Sequence, residues 1–130
     1  QARLQAGNDF LTENAKRSDV VVLPSGLQYR VLETGSGERP GPEDRVRVHY
    51  QGTLLDGSVF DSSVQRGQPA EFPLAGVIPG FREALSNMRV GDHWEVFIPS
   101  ALAYGERGAG ADIGPNETLI FDIQLLEILR

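Results

Sequence analysis

A chain of 130 residues, 40% hydrophobic and 23% charged, has room for one domain with a modest core, and no apolar run in it approaches the length that spans a bilayer. A net charge of −6 argues against the dense Lys and Arg footprint of a nucleic-acid binder, and the absence of cysteine rules out a disulfide framework and thiol chemistry without fixing the compartment. The first residue is Gln1 rather than Met, so a processed chain or a cut fragment is expected, with any targeting segment removed.

Residues 1–17 are polar, with Leu4 and Leu11 on one face of a broken helical pattern that Gly7 weakens; the segment is either the end of a longer helix or a frayed terminus. Leu23-Pro24-Ser25-Gly26 reads as a turn, and Leu27, Tyr29 and Val31 alternate with Gln28, Arg30 and Leu32 as a strand. From Thr34 to Asp44 the composition is that of a surface loop. The next strand is the clearest, with Val46, Val48 and Tyr50 on one face and Arg45, Arg47, His49 and Gln51 on the other; solvent is the expected partner of Arg45 and Arg47. Asp56-Gly57 is a hairpin signal that returns Val59-Phe60 beside it, and Asp61-Ser62-Ser63 breaks the returning strand. A short segment, Glu71 to Leu74, follows.

In the interior of the chain, apolar residues recur at helical spacing only around Phe81: Phe81, Leu85 and Met88 fall at i, i+4 and i+7, with Ala84 beside them. Pro79-Gly80 starts this helix and Gly91 is placed to end it, so it has two to three turns, too few to stand alone in water. After it, Trp94, Val96 and Ile98 alternate with His93, Glu95 and Phe97 up to Pro99. Residues 100–117 form a long Gly-rich loop. Thr118 to Leu129 is apolar on both faces and is therefore expected at the centre of the sheet. The expected architecture is α+β: a twisted antiparallel sheet curled around one short helix, with an aromatic hollow between them.

The reactive-looking groups do not assemble into a familiar catalytic motif. His49 and His93 both fall on solvent-facing strand positions, no ligand spacing accompanies them, and neither a metal nor a cofactor is expected. Ser62 and Ser63 lack a nucleophile elbow and a histidine spaced to serve them. The glycines of Gly105 to Gly110 lack the Lys-Ser or Lys-Thr and the following helix of a phosphate loop, so this segment reads as a mobile flap. Asp61 is either a turn cap for Ser62 and Ser63 or a carboxylate at the lip of the hollow. The rings of Tyr50, Phe60, Phe72, Phe81, Tyr104 and Phe121 read either as plain core or as its lining.

At these residues the sequence resembles the FKBP-type peptidyl-prolyl cis-trans isomerases. Val48-His-Tyr-Gln-Gly-Thr-Leu-Leu-Asp-Gly, Phe60-Asp-Ser-Ser, Gly76-Val-Ile-Pro-Gly, Ala103-Tyr-Gly and Thr118-Leu-Ile-Phe-Asp-Ile appear in that family's order, and the likeness runs from about Leu23 to the C-terminus. Glu13-Asn-Ala-Lys, Leu23-Pro-Ser-Gly-Leu-Gln-Tyr and Leu102-Ala-Tyr-Gly-Glu-Arg-Gly-Ala-Gly are similar to the bacterial branch typified by the macrophage infectivity potentiator. The resemblance implies residues 1–22 as the end of an N-terminal linker helix with its connector and residues 23–130 as the isomerase domain. In that branch the full-length protein is a homodimer through an N-terminal module, absent here.

Carried over by position, the catalytic residues would be Asp61, Tyr104, Ile78 and Phe121, and the substrate-binding residues Tyr50, Phe60, Phe72, Val77, Phe81 and Ile113. The function implied is acceleration of rotation about Xaa-Pro bonds in peptides and folding proteins, with the macrolides rapamycin and tacrolimus occupying the same pocket. The alternative is a peptide-holding chaperone domain with little catalysis, whose relatives carry an apolar flap insertion that this polar flap lacks. Phe81 stands where many members have Trp, and Ala70, Ala109, Asp112 and Gly114 also depart from common family choices, which bears on ligand affinity more than on activity. The branch occurs in the bacterial periplasm or cell envelope, the favoured location, and in the cytoplasm, the alternative.

Overall fold

The computed structural model describes residues 2–130; Gln1, the first residue of the expected linker helix, lies outside the described residues. In chain order the elements are α1 (Ala2–Asn14), β1 (Val21–Val22), β2 (Gln28–Glu33), β3 (Arg45–Thr53), β4 (Val59–Ser62), α2 (Ser63–Arg66), β5 (Ala70–Pro73), α3 (Pro79–Asn87), β6 (His93–Ile98) and β7 (Leu119–Leu129). The seven strands form one antiparallel sheet in the order β1-β2-β6-β7-β3-β4, with β5 also paired to β3. As its two apolar faces require, β7 is central, bonded to β6 on one side and β3 on the other. Among the described residues no helix is long and apolar enough to cross a membrane.

One face of the sheet closes over α3. Phe81, Ala84, Leu85 and Met88 are buried there against Val46, Val48, Val96, Ile98, Ile123 and Leu125, the inward positions of three strands. Pro79 supplies the first helical residue. Gly80 permits the close approach, since a β-carbon there would collide with Ile98. The helix ends at Asn87, earlier than Gly91: Met88 is already extended, at φ −88° and ψ 154°, because its side chain is drawn into the core. Gly91, at φ 99°, instead turns the chain into β6, where the Asp92 N–H donates to the Arg89 carbonyl at 2.9 Å.

The other face departs further from the simple alternation. Phe97 shares its side of β6 with His93 and Glu95, yet it is 2% exposed, because α1 lies over it and Phe10 meets its ring at 5.9 Å. Asn14 Nδ2 donates to Gln28 Oε1 at 2.8 Å, and Gln28 Nε2 donates to the Leu11 carbonyl at 2.9 Å, so the far end of α1 is tied to β2. The buried positions of α1 are Gly7 and Asn14, while Leu4 is 40% exposed. Gly7 thus marks a close contact with the domain rather than a flaw in the helix.

Both histidines are partly buried and bonded, not open to solvent: His49 Nδ1 lies 2.9 Å from Ser63 Oγ, and His93 Nε2 lies 2.6 Å from Asp122 Oδ1. Arg45 is exposed, but Arg47 bridges Glu71 on β5 and Glu127 on β7 at 2.9 and 2.5 Å. Near its end β7 bulges, with Arg47 opposite Glu127 and Val48 opposite Leu125, which turns Leu126 outward.

Leu85 is fully buried at the centre of this core. Leu85→Ala is expected to cost about 2–5 kcal/mol in urea unfolding. A loss below about 1 kcal/mol would mean that α3 is not the element on which the sheet closes.

Candidate functional site

Helix α3 does not fill the whole concavity of the sheet. Beside its N-terminus a cavity of about 300 Å³ remains, lined by Tyr50 of β3, Phe60 and Asp61 of β4, Phe72 of β5, Gly76, Val77 and Ile78 before α3, Phe81 within it, Tyr104 of the flap and Phe121 of β7. Five of the rings form one continuous cluster. Phe81 sits edge-on to Tyr50, Phe72 and Phe121 at centroid distances of 5.9, 5.9 and 5.2 Å, and Phe60 stands edge-on to Phe121 at 5.5 Å. Edge-to-face packing satisfies the ring quadrupoles and leaves the ring faces free to bound a cavity. Gly52 makes the wall possible: a β-carbon on it would collide with Phe60 and would lie 2.8 Å from Phe121.

The polar side of the cavity is a three-residue network. Tyr50 Oη donates to Asp61 Oδ2 at 2.5 Å; Arg66 Nη1 donates to Asp61 Oδ1 at 2.5 Å, and Arg66 Nη2 to Tyr50 Oη at 3.1 Å. Helix α2 places the arginine. Ser62 is its N-cap, accepting from the Gln65 N–H at 3.1 Å, and Gly67 closes it in the left-handed region at φ 76°. The residue that caps the turn is therefore Ser62, which leaves the Asp61 carboxylate to Tyr50 and Arg66. Ser63 Oγ accepts from the Tyr50 N–H at 2.8 Å and fastens α2 to β3.

This network sets the charge states. Burial pulls the Asp61 carboxyl upward, but the hydrogen bonds from Tyr50 and Arg66 and the arginine charge outweigh it, and the group lies below the ordinary carboxylate value. Tyr50 is pushed above the ordinary phenol value, first by burial and then by its bond to Asp61, against the pull of Arg66. At neutral pH this network thus holds an ionised carboxylate, a neutral phenol and a guanidinium.

At the rim, Ile78 is the N-cap residue of α3, with φ −60° and ψ 153°, and its N–H donates to no acceptor among the described residues. Tyr104, 39% exposed, also borders the cavity. Nine of the ten residues proposed from sequence border the cavity. Ile113 does not: it is buried under the flap, where it exchanges backbone bonds with Ala109 at 2.7 and 3.1 Å and anchors that loop to the core. Missed from sequence were Gly52, Gly76 and Arg66. The capping pattern of Ser62 and Gln65 followed by Gly67 is the signal that would have revealed α2 and its arginine.

The family model for FKBP-type peptidyl-prolyl cis-trans isomerase matches residues 36–126, and that for the domain amino terminal to it matches residues 1–31. The chain is 60% identical over 129 residues to the FKBP-type 22 kDa peptidyl-prolyl cis-trans isomerase of Escherichia coli, covering 99% of this chain and 63% of that protein. It is 53% identical over 124 residues to the outer membrane protein MIP of Legionella longbeachae, covering 95% of this chain and 53% of that one. The crystal structure of FkpA from Escherichia coli superposes with a TM-score of 0.94 at 43% identity, over 98% of this chain and 59% of that one. The chain thus spans between half and two thirds of the length of these relatives.

Because the Asp61 carboxyl is held below its unfolded value near 3.9, it stabilises the fold above that pH, and the contribution is lost as pH falls through the folded value. The Asp61 and Arg66 side chains are 41% and 52% exposed, so water screens the pair and the contribution is under about 1 kcal/mol. Urea midpoints of the native chain and Asp61→Asn are expected to differ by a constant amount from pH 7 to about pH 4 and to converge below it. A difference that grows on acidification would reverse the assigned shift.

Proposed function

The chain belongs to the FKBP-type peptidyl-prolyl cis-trans isomerase family, and from that premise we propose that its aromatic cavity binds the prolyl ring of peptides and folding proteins and accelerates rotation about the Xaa-Pro bond. The observation that carries the reading is a box of five aromatic rings with the Ile78 N–H, which meets no acceptor among the described residues, at its lip and a carboxylate bonded through both oxygens at its side.

The barrier to rotation, roughly 18–20 kcal/mol, comes from the partial double bond of the amide. Water stabilises the planar, charge-separated amide, so a water-poor site favours the twisted, less polar state. Phe60, Phe81, Phe121, Val77 and Ile78 supply that site and hold the ring by apolar contact. The Ile78 N–H receives a substrate carbonyl and the Tyr104 hydroxyl a second one, which selects one rotational state. Asp61 has both oxygens committed to Tyr50 and Arg66, and its role is to hold the rim in place. A millionfold acceleration needs about 8 kcal/mol of transition-state stabilisation, within reach of apolar burial together with two or three hydrogen bonds.

Macrolide inhibitors of the rapamycin and tacrolimus kind fit the same box. Phe81 forms its floor, where many members of the family have Trp, a change that leaves more room for such a ligand. The likeness to a protein named as an outer membrane protein supports a cell-envelope or periplasmic location, and a full-length homodimer joined through an N-terminal module is part of the same reading.

The test is the cis-to-trans relaxation of a short Leu-Pro peptide. The native chain is expected to accelerate it and rapamycin to abolish the effect. Phe121→Ala and Asp61→Ala, shown folded by circular dichroism, are expected to lose on the order of ten- to a hundredfold in kcat/KM. A folded chain that suppresses aggregation of an unfolded protein yet leaves the peptide rate unchanged would transfer the reading to a peptide-holding domain.

A further inference from the structure

Helix α1 touches more than the back of the sheet. At Gly7 it lies so close to Thr118 that a β-carbon would collide with Thr118 Oγ1; one turn earlier the Arg3 guanidinium lies against the bare Cα of Gly114, where a β-carbon would collide with Nη1. Gly114 and Thr118 belong to the C-terminal stem of the flap, and Arg3 and Ala6 share a groove with its residues Ala111, Asp112 and Glu117. The two stems of the flap are joined. The Asn116 N–H donates to the Gly105 carbonyl at 2.8 Å, and Gly105 directly follows Tyr104. A path therefore runs from α1 to Thr118, along the chain to Asn116, across its bond to Gly105 and so to Tyr104 on the pocket rim. The other half of α1 is fixed by Phe10 on Phe97 and by Asn14 on Gln28, so the helix has a firm base from which to press on the stem.

We propose that α1 is a brace that holds Tyr104 at the rim through the flap stem, with Gly7 and Arg3 as its positioning residues. The inference rests on the cavity being the isomerase site. It gives whatever precedes α1 a mechanical connection to substrate binding, since a shift of the helix along Thr118 is passed to Tyr104.

Gly7→Ala tests this sharply, because alanine favours the helix and a loss cannot come from a weaker α1. The variant is expected to lower kcat/KM for a proline peptide by on the order of tenfold and to speed hydrogen exchange of the Asn116 amide. Adding Thr118→Ala, which removes the colliding hydroxyl and leaves a methyl against a methyl, is expected to restore both. In a Tyr104→Phe background, Gly7→Ala is expected to cost nothing further. Native rates and native exchange in Gly7→Ala would overturn the brace, as would an undiminished loss in the Tyr104→Phe background. If even the native chain leaves the peptide rate unchanged, the isomerase reading fails by itself, and Asn116 exchange still decides the brace: no change on Gly7→Ala overturns it.

Discussion

Phe81 is the point where the fold and the cavity depend on one interaction. Its ring closes the core by meeting Tyr50, Phe72 and Phe121 at once, and the side it leaves uncovered is the cavity floor. The geometry follows from the length of α3. Nine residues reach across only part of the sheet, so the helix seals the region under Ala84, Leu85 and Met88 and leaves the region before Phe81 unfilled. A longer helix would have buried that space and removed the site. Three of the strands that frame it, β3, β4 and β7, meet at Gly52, where a missing side chain lets two rings stand over the backbone.

Into this apolar space the chain admits one charge, and the surrounding bonds show what it is for. An isolated carboxylate beside five rings would be driven to protonate. Tyr50 and Arg66 instead keep Asp61 ionised, and the cost is met with three hydrogen bonds that also fix the Tyr50 ring against Phe81 and Phe121. Rotation about an amide needs no proton transfer, and Asp61 has both oxygens engaged by Tyr50 and Arg66. Its electrostatics are therefore structural: they hold a wall in register, and on the proposed reading the solvent-poor interior then acts on the bound amide.

Much of this was legible from the residues. Alternation in Arg45 to Gln51 gives β3 directly, the spacing of Phe81, Leu85 and Met88 gives α3, and the apolar character of Leu119 to Leu125 places β7 at the centre. What escaped depends on contacts between segments far apart in sequence. Phe97 follows the outward alternation and is buried only because α1 folds back from some ninety residues away in sequence. Arg66 looks like any surface cation until α2 curls it toward Asp61. Ile113 carries the right residue type for a pocket wall, but the tight turn between Ala109 and Ile113 points it at the core. Local periodicity reports which face a residue occupies, and these three positions are decided by what covers that face.

The division between rigid and adaptable parts of the site follows the same logic. Its floor is carried by β3, β7 and α3, elements locked by ladder bonds and a fully buried core. Its rim is carried by the segment before α3 and by the flap, where Gly105, Gly108 and Gly110 adopt positive φ and the backbone bonds are few. A proline ring has one shape, whereas the residues beside it vary. A fixed aromatic floor suits the constant part of such a substrate, and a glycine-hinged rim suits the variable part. On the proposed reading, the rim must nevertheless present Tyr104 in a defined place for its hydroxyl to favour one rotational state. A hinged loop can do so only if something outside it limits its excursions, and in this fold the Ile113 anchor below and α1 beside the stem are the contacts in position to set that limit.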